Sequence, residues 1–176
     1  MNIKQKKFFI LLTGASDVDN TPLSKEYLKL ARKKEYFDSI SYMLKKYPDY
    51  NFTYVDSSNN DLRRNFKSLK KYANLEVLKL NVQDIVKKSG KGAGELESIK
   101  FALKNSKNMK NQNTILKLNG RYRLMNLKQI LYKESENCNT IYGEFRESHK
   151  WFDSRCFIAP VRIYESLCKK QINDFN

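Results

Sequence analysis

Two periods of apolar residues alternate along the chain. Residues 6–14, KKFFILLTG, carry an unbroken apolar run closed by Thr13-Gly14, the pattern of a strand covered on both faces. The polar stretch 15–24, ASDVDNTPLS, has turn chemistry, and Ser24 is placed to cap the next helix. From 25 to 47, Leu28, Ala31, Tyr36, Ile40, Met43 and Leu44 recur at three- and four-residue steps, which predicts an amphipathic helix stopped by Pro48. A second strand is predicted over 51–59 (NFTYVDSSN), turning at Asp56-Ser57-Ser58. A short helix is predicted over 61–73, with Asp61 near its positive end. LEVLKL, 75–80, reads as a third strand. Residues 84–106 read as a helix broken by Gly90, Gly92 and Gly94 and resumed near Glu95. TILKL, 114–118, is a fourth strand running into Asn119-Gly120-Arg121-Tyr122. A helix at 126–136, short strands at 139–145 and 154–160, and a closing helix at 161–175 complete the pattern.

Strand and helix alternate at about 20 to 30 residues per unit, which predicts an α/β fold with a mostly parallel central sheet flanked by helices. A chain of 176 residues suits a single domain, 1–176. No internal repeat is visible. The polar segment 104–113, KNSKNMKNQN, reads as a loop too short for a domain linker.

Composition narrows the class. Hydrophobic residues make up 40% and charged residues 30%, a globular balance. The net charge of +15 attracts polyanions: nucleic acid, anionic lipid or phosphate-bearing substrates. Only eight of the 34 basic residues are arginine, and the lysines are spread along every helix, so a solvated basic surface explains the charge equally well. Cys138, Cys156 and Cys168 are odd in number and lack CxxC spacing, as reduced thiols of a cytoplasmic protein would. His149 is the single histidine. The run FFILL is too short to span a bilayer, and no long apolar region or cleavage site comes after the basic NIKQKK, so export is not expected. Without GxSxG, HExxH or a Cys–His pairing in context, hydrolase readings have little support.

In an open parallel sheet, ligands bind beyond the carboxyl ends of the strands. Four expected ends carry suggestive residues: Thr13-Gly14, Asp56-Ser57-Ser58, Asn81, and Asn119-Gly120-Arg121-Tyr122. Arg121 and Arg123 stand where an anion would sit, and a guanidinium fork suits phosphate. The alternative is that Arg121 pairs with a nearby carboxylate and Tyr122 is core. SGKGAGE, 89–95, resembles a phosphate cradle, since glycines let backbone N–H groups approach an anion at a helix start. It matches neither Walker A nor the dinucleotide fingerprint, and a plain Gly-rich interhelical turn is the alternative. Asp17 and Asp19 form a literal DxD, able in principle to hold Mg²⁺ or Mn²⁺, but after the wrong strand for the usual sugar-transferase arrangement. WFDSRCF places Asp153 and Arg155 around an expected turn, where Asp153 would serve as a general base, clamp an acceptor sugar, or be an ordinary turn residue paired with Arg155.

Five segments together (FFILLTGAS, YFDSISYMLKKYPDYNFTYVDSSN, KGAGELESIKFAL, ILKLNGRYRLMN and WFDSRCFIAP) resemble small glycosyltransferase-like proteins of the GT-A nucleotide-diphospho-sugar transferase fold. Such proteins occur in capsule, lipopolysaccharide and giant-virus glycan synthesis. The resemblance spans about Phe8 to Pro160. It implies a nucleotide-sugar site at the strand ends, with Thr13, Gly14, Asp56, Ser57 and Ser58 flanking base and ribose. Lys91, Gly92 and Glu95 would lie beside the nucleotide. Asn119, Gly120, Arg121 and Tyr122 would stand near the position of the metal-binding DxD of many relatives, which is lacking at that place; that Arg121 counters the diphosphate charge instead is an inference from this sequence and not part of the resemblance. Arg155 joins the binding set, and Asp153 and Arg121 are the catalytic candidates.

The resemblance and the strand-end residues together imply a cytoplasmic glycosyltransferase, peripheral at a membrane face, that transfers a sugar from a nucleotide-sugar donor to a glycan or lipid-linked acceptor. No metal ligand is assigned, and Mg²⁺ or Mn²⁺ is the only cofactor entertained. The alternatives are a basic α/β module that binds nucleic acid and an inactive relative of the transferases.

Overall fold

The computed structural model describes residues 8–17, 26–134, 142–146 and 151–166, with the backbone alone at 26, 133–134, 142–146 and 151–154. Ser24, Asp19, Cys138, Cys168 and His149 lie outside the described residues.

Among the described residues six strands form one sheet: β1 (Phe8–Gly14), β2 (Phe52–Asp56), β3 (Leu75–Lys79), β4 (Thr114–Asn119), β5 (Tyr142–Arg146) and β6 (Trp151–Pro160), in the order β3-β2-β1-β4-β6-β5. The β3-β2-β1-β4 half is parallel throughout, and β6 runs antiparallel to both β4 and β5. The fold is therefore α/β and Rossmann-like, with a mostly parallel sheet between helices.

The apolar run of β1 explains the layering. Ile10 and Leu12 point to one face, where they meet Tyr36, Ile40, Met43 and Leu44 of α1 (Glu26–Lys46). Phe9 and Leu11 point to the other, where Ile99 and Ala102 of α3 (Gln83–Asn105) cover them. Both faces exclude water, so no polar alternation is needed. Each such buried Leu, Ile or Phe contributes roughly 1.5–3 kcal/mol relative to exposure. α4 (Leu127–Glu134) adds Leu127 and Leu131 to the α1 side.

Several element boundaries differ from expectation. The segment after β2 is α2 (Leu62–Asn65), capped by the Asp61 carboxylate accepting from the Arg63 N–H (3.0 Å), and then a 3-10 turn, Lys67–Lys71. α3 breaks at one glycine, not three. Gly90 (φ 84°, ψ 174°) is the single non-helical residue, and helix resumes at once rather than near Glu95. Gly92 and Gly94 keep helical backbone, and neither has positive φ. β6 is longer than expected: Trp151–Pro160 is strand through Asp153 and Arg155, where a turn was expected, and the irregularity there is a slip in its pairing with β5, Gly143 facing Phe157 and the next residue, Glu144, facing Asp153. Pairing with β5 (Trp151 with Arg146, Phe152 with Phe145, Asp153 with Glu144) holds that stretch extended. At the far end, only 161–166 of the closing helix is described.

Candidate functional site

Register places the strand ends level. Thr13 lies beside Val55 on one side and Asn119 on the other, and Gly14 lies beside Asp56. The chain leaves β1 for β2 on one flank and reaches β4 on the other, so β1 is the point where strand order reverses. A crevice opens at such a point because the loops diverge. A cleft of about 370 Å³ occupies it.

Its floor is the end of β1. Gly14 is required by close approach: a Cβ there would fall 2.2 Å from the Tyr36 ring. The Tyr36 hydroxyl accepts from the Ala15 N–H (3.2 Å), and burial raises its pKa. Arg32, one turn earlier on α1, donates through Nε to the Ala15 carbonyl (2.7 Å) and leans over the Tyr36 ring. Its guanidinium thus lines the cleft.

One wall is the kinked α3. Val82, just before it, lines the cleft with Gln83 and Val86 of its first part; its second part brings Lys91, Gly92, Gly94 and Glu95. Gly94 lets the two parts meet, since a Cβ there would lie 2.4 Å from Val86 Cγ2. Glu95 receives the ammonium of Lys117, which is fully buried in β4, and the Thr13 hydroxyl (3.4 Å). That carboxylate is offset by an interior cation, while Arg32, Lys91 and Arg155 bring positive charge to the cleft lining. The segment after Gly90 begins a new run of helix beside them, and helix-start N–H groups favour an anion.

The far wall is Asn119 of β4 and Arg155 of β6. Arg155 lies over the Tyr122 ring (5.7 Å to its centroid) and donates to the Tyr122 hydroxyl at 3.4 Å.

Of the residues singled out in the sequence, Thr13, Gly14, Ser57, Lys91, Gly92, Glu95, Asn119 and Arg155 line this cleft. Others do not. Asp56 is buried and structural: it accepts from the Ser16 hydroxyl (2.5 Å), the Ser58 N–H (3.0 Å) and hydroxyl (2.5 Å), and the Tyr54 hydroxyl (3.1 Å). Ser58 is spent on Asp56 and on the Asp17 N–H (3.0 Å). Asn81 pairs with Ser58 across the neighbouring loop and accepts from the Gln83 N–H (3.1 Å).

Arg121 is not among the residues lining the cleft. The Asn119–Tyr122 turn, closed by Tyr122 N–H to Asn119 carbonyl (2.9 Å), throws its side chain over α1, where it meets Glu35 at 3.3 Å. It pairs with a carboxylate outside the cleft, the alternative left open by the sequence. Tyr122 is 40% exposed, so it is not core; it supports Arg155. The Asp153 side chain lies outside the described residues. Arg32 and Tyr36 went unforeseen. Their signal is that Arg32 precedes Tyr36 by four positions, which puts a cation on the same stripe as the helix's apolar residues.

The described residues do not fit a divalent metal. Asp17 is taken by Lys33 (2.5 Å), with Lys29 3.9 Å away. Among the described residues no group of three or more His, Cys, Asp or Glu gathers, and none of their helices is long and apolar enough to cross a membrane. Comparison with family models, curated proteins and solved structures found no match to this chain.

Proposed function

We propose that the cleft holds the diphosphate of a nucleotide-activated sugar, and that the protein is a glycosyltransferase with a GT-A-like site. The observation that carries this is the convergence of Arg32, Lys91 and Arg155, with the helix start after Gly90, on the crevice between β1 and β4. Cations gathered at that place, two of them held by Ala15 and Tyr122, favour a ligand carrying two phosphates. The apolar Val82–Val86 wall offers a surface for a base or sugar ring.

In the proposed reaction an acceptor hydroxyl oxygen attacks the anomeric carbon, and the bond from that carbon to the phosphate oxygen breaks. The nucleoside diphosphate departs with the bonding pair. Negative charge then grows on the diphosphate, where preorganised cations stabilise it more than they stabilise the donor. Arg32 and Arg155 take the part that sequence alone gave to Arg121. Asp153, on β6 two residues before Arg155, is assigned to accept the acceptor's proton. Glu95, held by Lys117 and Thr13, sits where it would accept hydrogen bonds from ligand hydroxyls. No step is routed through a metal.

A thermal-shift screen against nucleoside-diphosphate sugars tests the reading. A donor at a hundred times its Kd stabilises the fold by about 2.7 kcal/mol, and the melting temperature rises accordingly. No shift with any donor, with or without Mn²⁺, contradicts it.

A further inference from the structure

The segment leaving β4 is built in a way the cleft does not require. Residues 121–126 are pinned to the second half of α1 and to Tyr47 just after it. Ser39 Oγ donates to the Tyr122 carbonyl (2.5 Å), the Tyr47 hydroxyl to the Leu124 carbonyl (2.8 Å), and Lys46 Nζ to the Met125 carbonyl (2.7 Å). Leu124 packs on the core, whereas Met125 is left 65% exposed at the tip. A fixed backbone that displays a large thioether is not an ordinary polar loop.

The surroundings of Met125 are cationic. Its sulfur accepts the Tyr42 hydroxyl (2.9 Å), and both Arg123 (5.4 Å) and Lys46 (5.2 Å) lie over the Tyr42 ring. Lys45 stands in the same last turn of α1, and Lys128 in the first turn of α4. Nearby carboxylates of α1 are already matched: Glu35 by Arg121 and Asp38 by Lys34 at 2.6 Å.

We infer that this face docks on an anionic lipid bilayer. Met125 enters the boundary between headgroups and acyl chains, and Lys46, Arg123 and their neighbours lie against the negative headgroups. The pairing of an apolar tip with a cationic rim favours lipid over nucleic acid, whose phosphates match the cations but leave the methionine in water. Tyr122 links this face to Arg155, so docking would set the cleft mouth beside the membrane. That the surface presents a lipid-linked acceptor rests on the transferase reading. Membrane binding does not, and it is measured without nucleotide.

The test is co-sedimentation of the full chain with vesicles of phosphatidylcholine alone and of phosphatidylcholine with phosphatidylserine. Binding is expected to the second only, weakening as salt rises. Met125→Ser should weaken it about tenfold, because a buried methionine is lost. Lys46→Gln with Arg123→Gln should cost about fivefold per cation. Lys67→Gln with Lys70→Gln removes equal charge from the 3-10 turn and should change little. Equal losses from the two double variants, or no binding to the anionic vesicles, would overturn the inference. So would tighter binding to single-stranded RNA that ignores Met125→Ser. Met125→Trp gives a reading that needs no loss of binding. Made in a Trp151→Phe background, so that its emission reports on position 125 alone, it should shift to the blue on anionic vesicles, and an unshifted spectrum also overturns the proposal.

Discussion

Two buried polar clusters set the chemistry of the strand ends. In the first, Lys117 is fully buried with its ammonium on Glu95. Removing one partner of a fully buried ion pair costs about 3–5 kcal/mol, and the partly exposed Glu95 puts this pair at or below the lower end of that range. Glu95→Ala is therefore expected to lower stability by that order in denaturant melts, whereas Lys117→Met combined with Glu95→Gln should recover much of it. Equal losses in the single and double variants would show that the pair is not the reason. In the second, Tyr54 is buried and donates to Asp56. Burial, reinforced by the Asp56 charge, holds its pKa well above the ordinary phenol value. The unfolded chain releases this proton near pH 10 and the folded chain does not, so folding loses stability as pH rises past that point. Tyr54→Phe should be less stable at neutral pH by about 1 kcal/mol. Its stability should fall less steeply above pH 10, so the two curves converge. Parallel curves would contradict the assignment.

At the scale of elements, the kink in α3 carries the site. The Gly90 backbone (φ 84°, ψ 174°) lies in a region essentially closed to other residues. Gly90→Ala is expected to cost about 1–3 kcal/mol and to weaken anion binding, since Lys91 and the helix start move with the kink. Unchanged stability and affinity would show that the bend is incidental. The parallel half of the sheet is legible in sequence because Phe9 to Leu12 and Ile115 to Leu118 are buried on both faces and read as largely apolar runs. The length of β6 is not legible, because its first residues are held by partners in β5 that no local pattern encodes. The glycines of SGKGAGE mark a break but not which of the three makes it. That depends on Gly94 meeting Val86, a contact made only after the helix has bent.

For the whole molecule, parallel topology is what turns scattered strand-end residues into one cleft. Thr13, Ser57 and Asn119 could be placed together from sequence, since strands running one way end on one edge. Arg121 and Asp56 could not be placed, since a tight turn sends one over α1 and a hydroxyl cluster consumes the other. Arg32 lies far from any strand end in sequence and reaches the site only because α1 packs its Tyr36 face under Gly14. The net charge of +15 is general, but ligand binding is assigned to three particular cations. Titration calorimetry with the donor that gives the largest thermal shift decides this most directly, comparing Arg32→Ala, Arg155→Ala and Arg121→Ala. Loss of a charged hydrogen-bonding partner is worth about 1.5–3 kcal/mol, a weakening of roughly tenfold or more. That loss is expected for Arg32→Ala and Arg155→Ala, with near-native affinity for Arg121→Ala. Undiminished binding in the first two, or its collapse in the third, would contradict the proposed site.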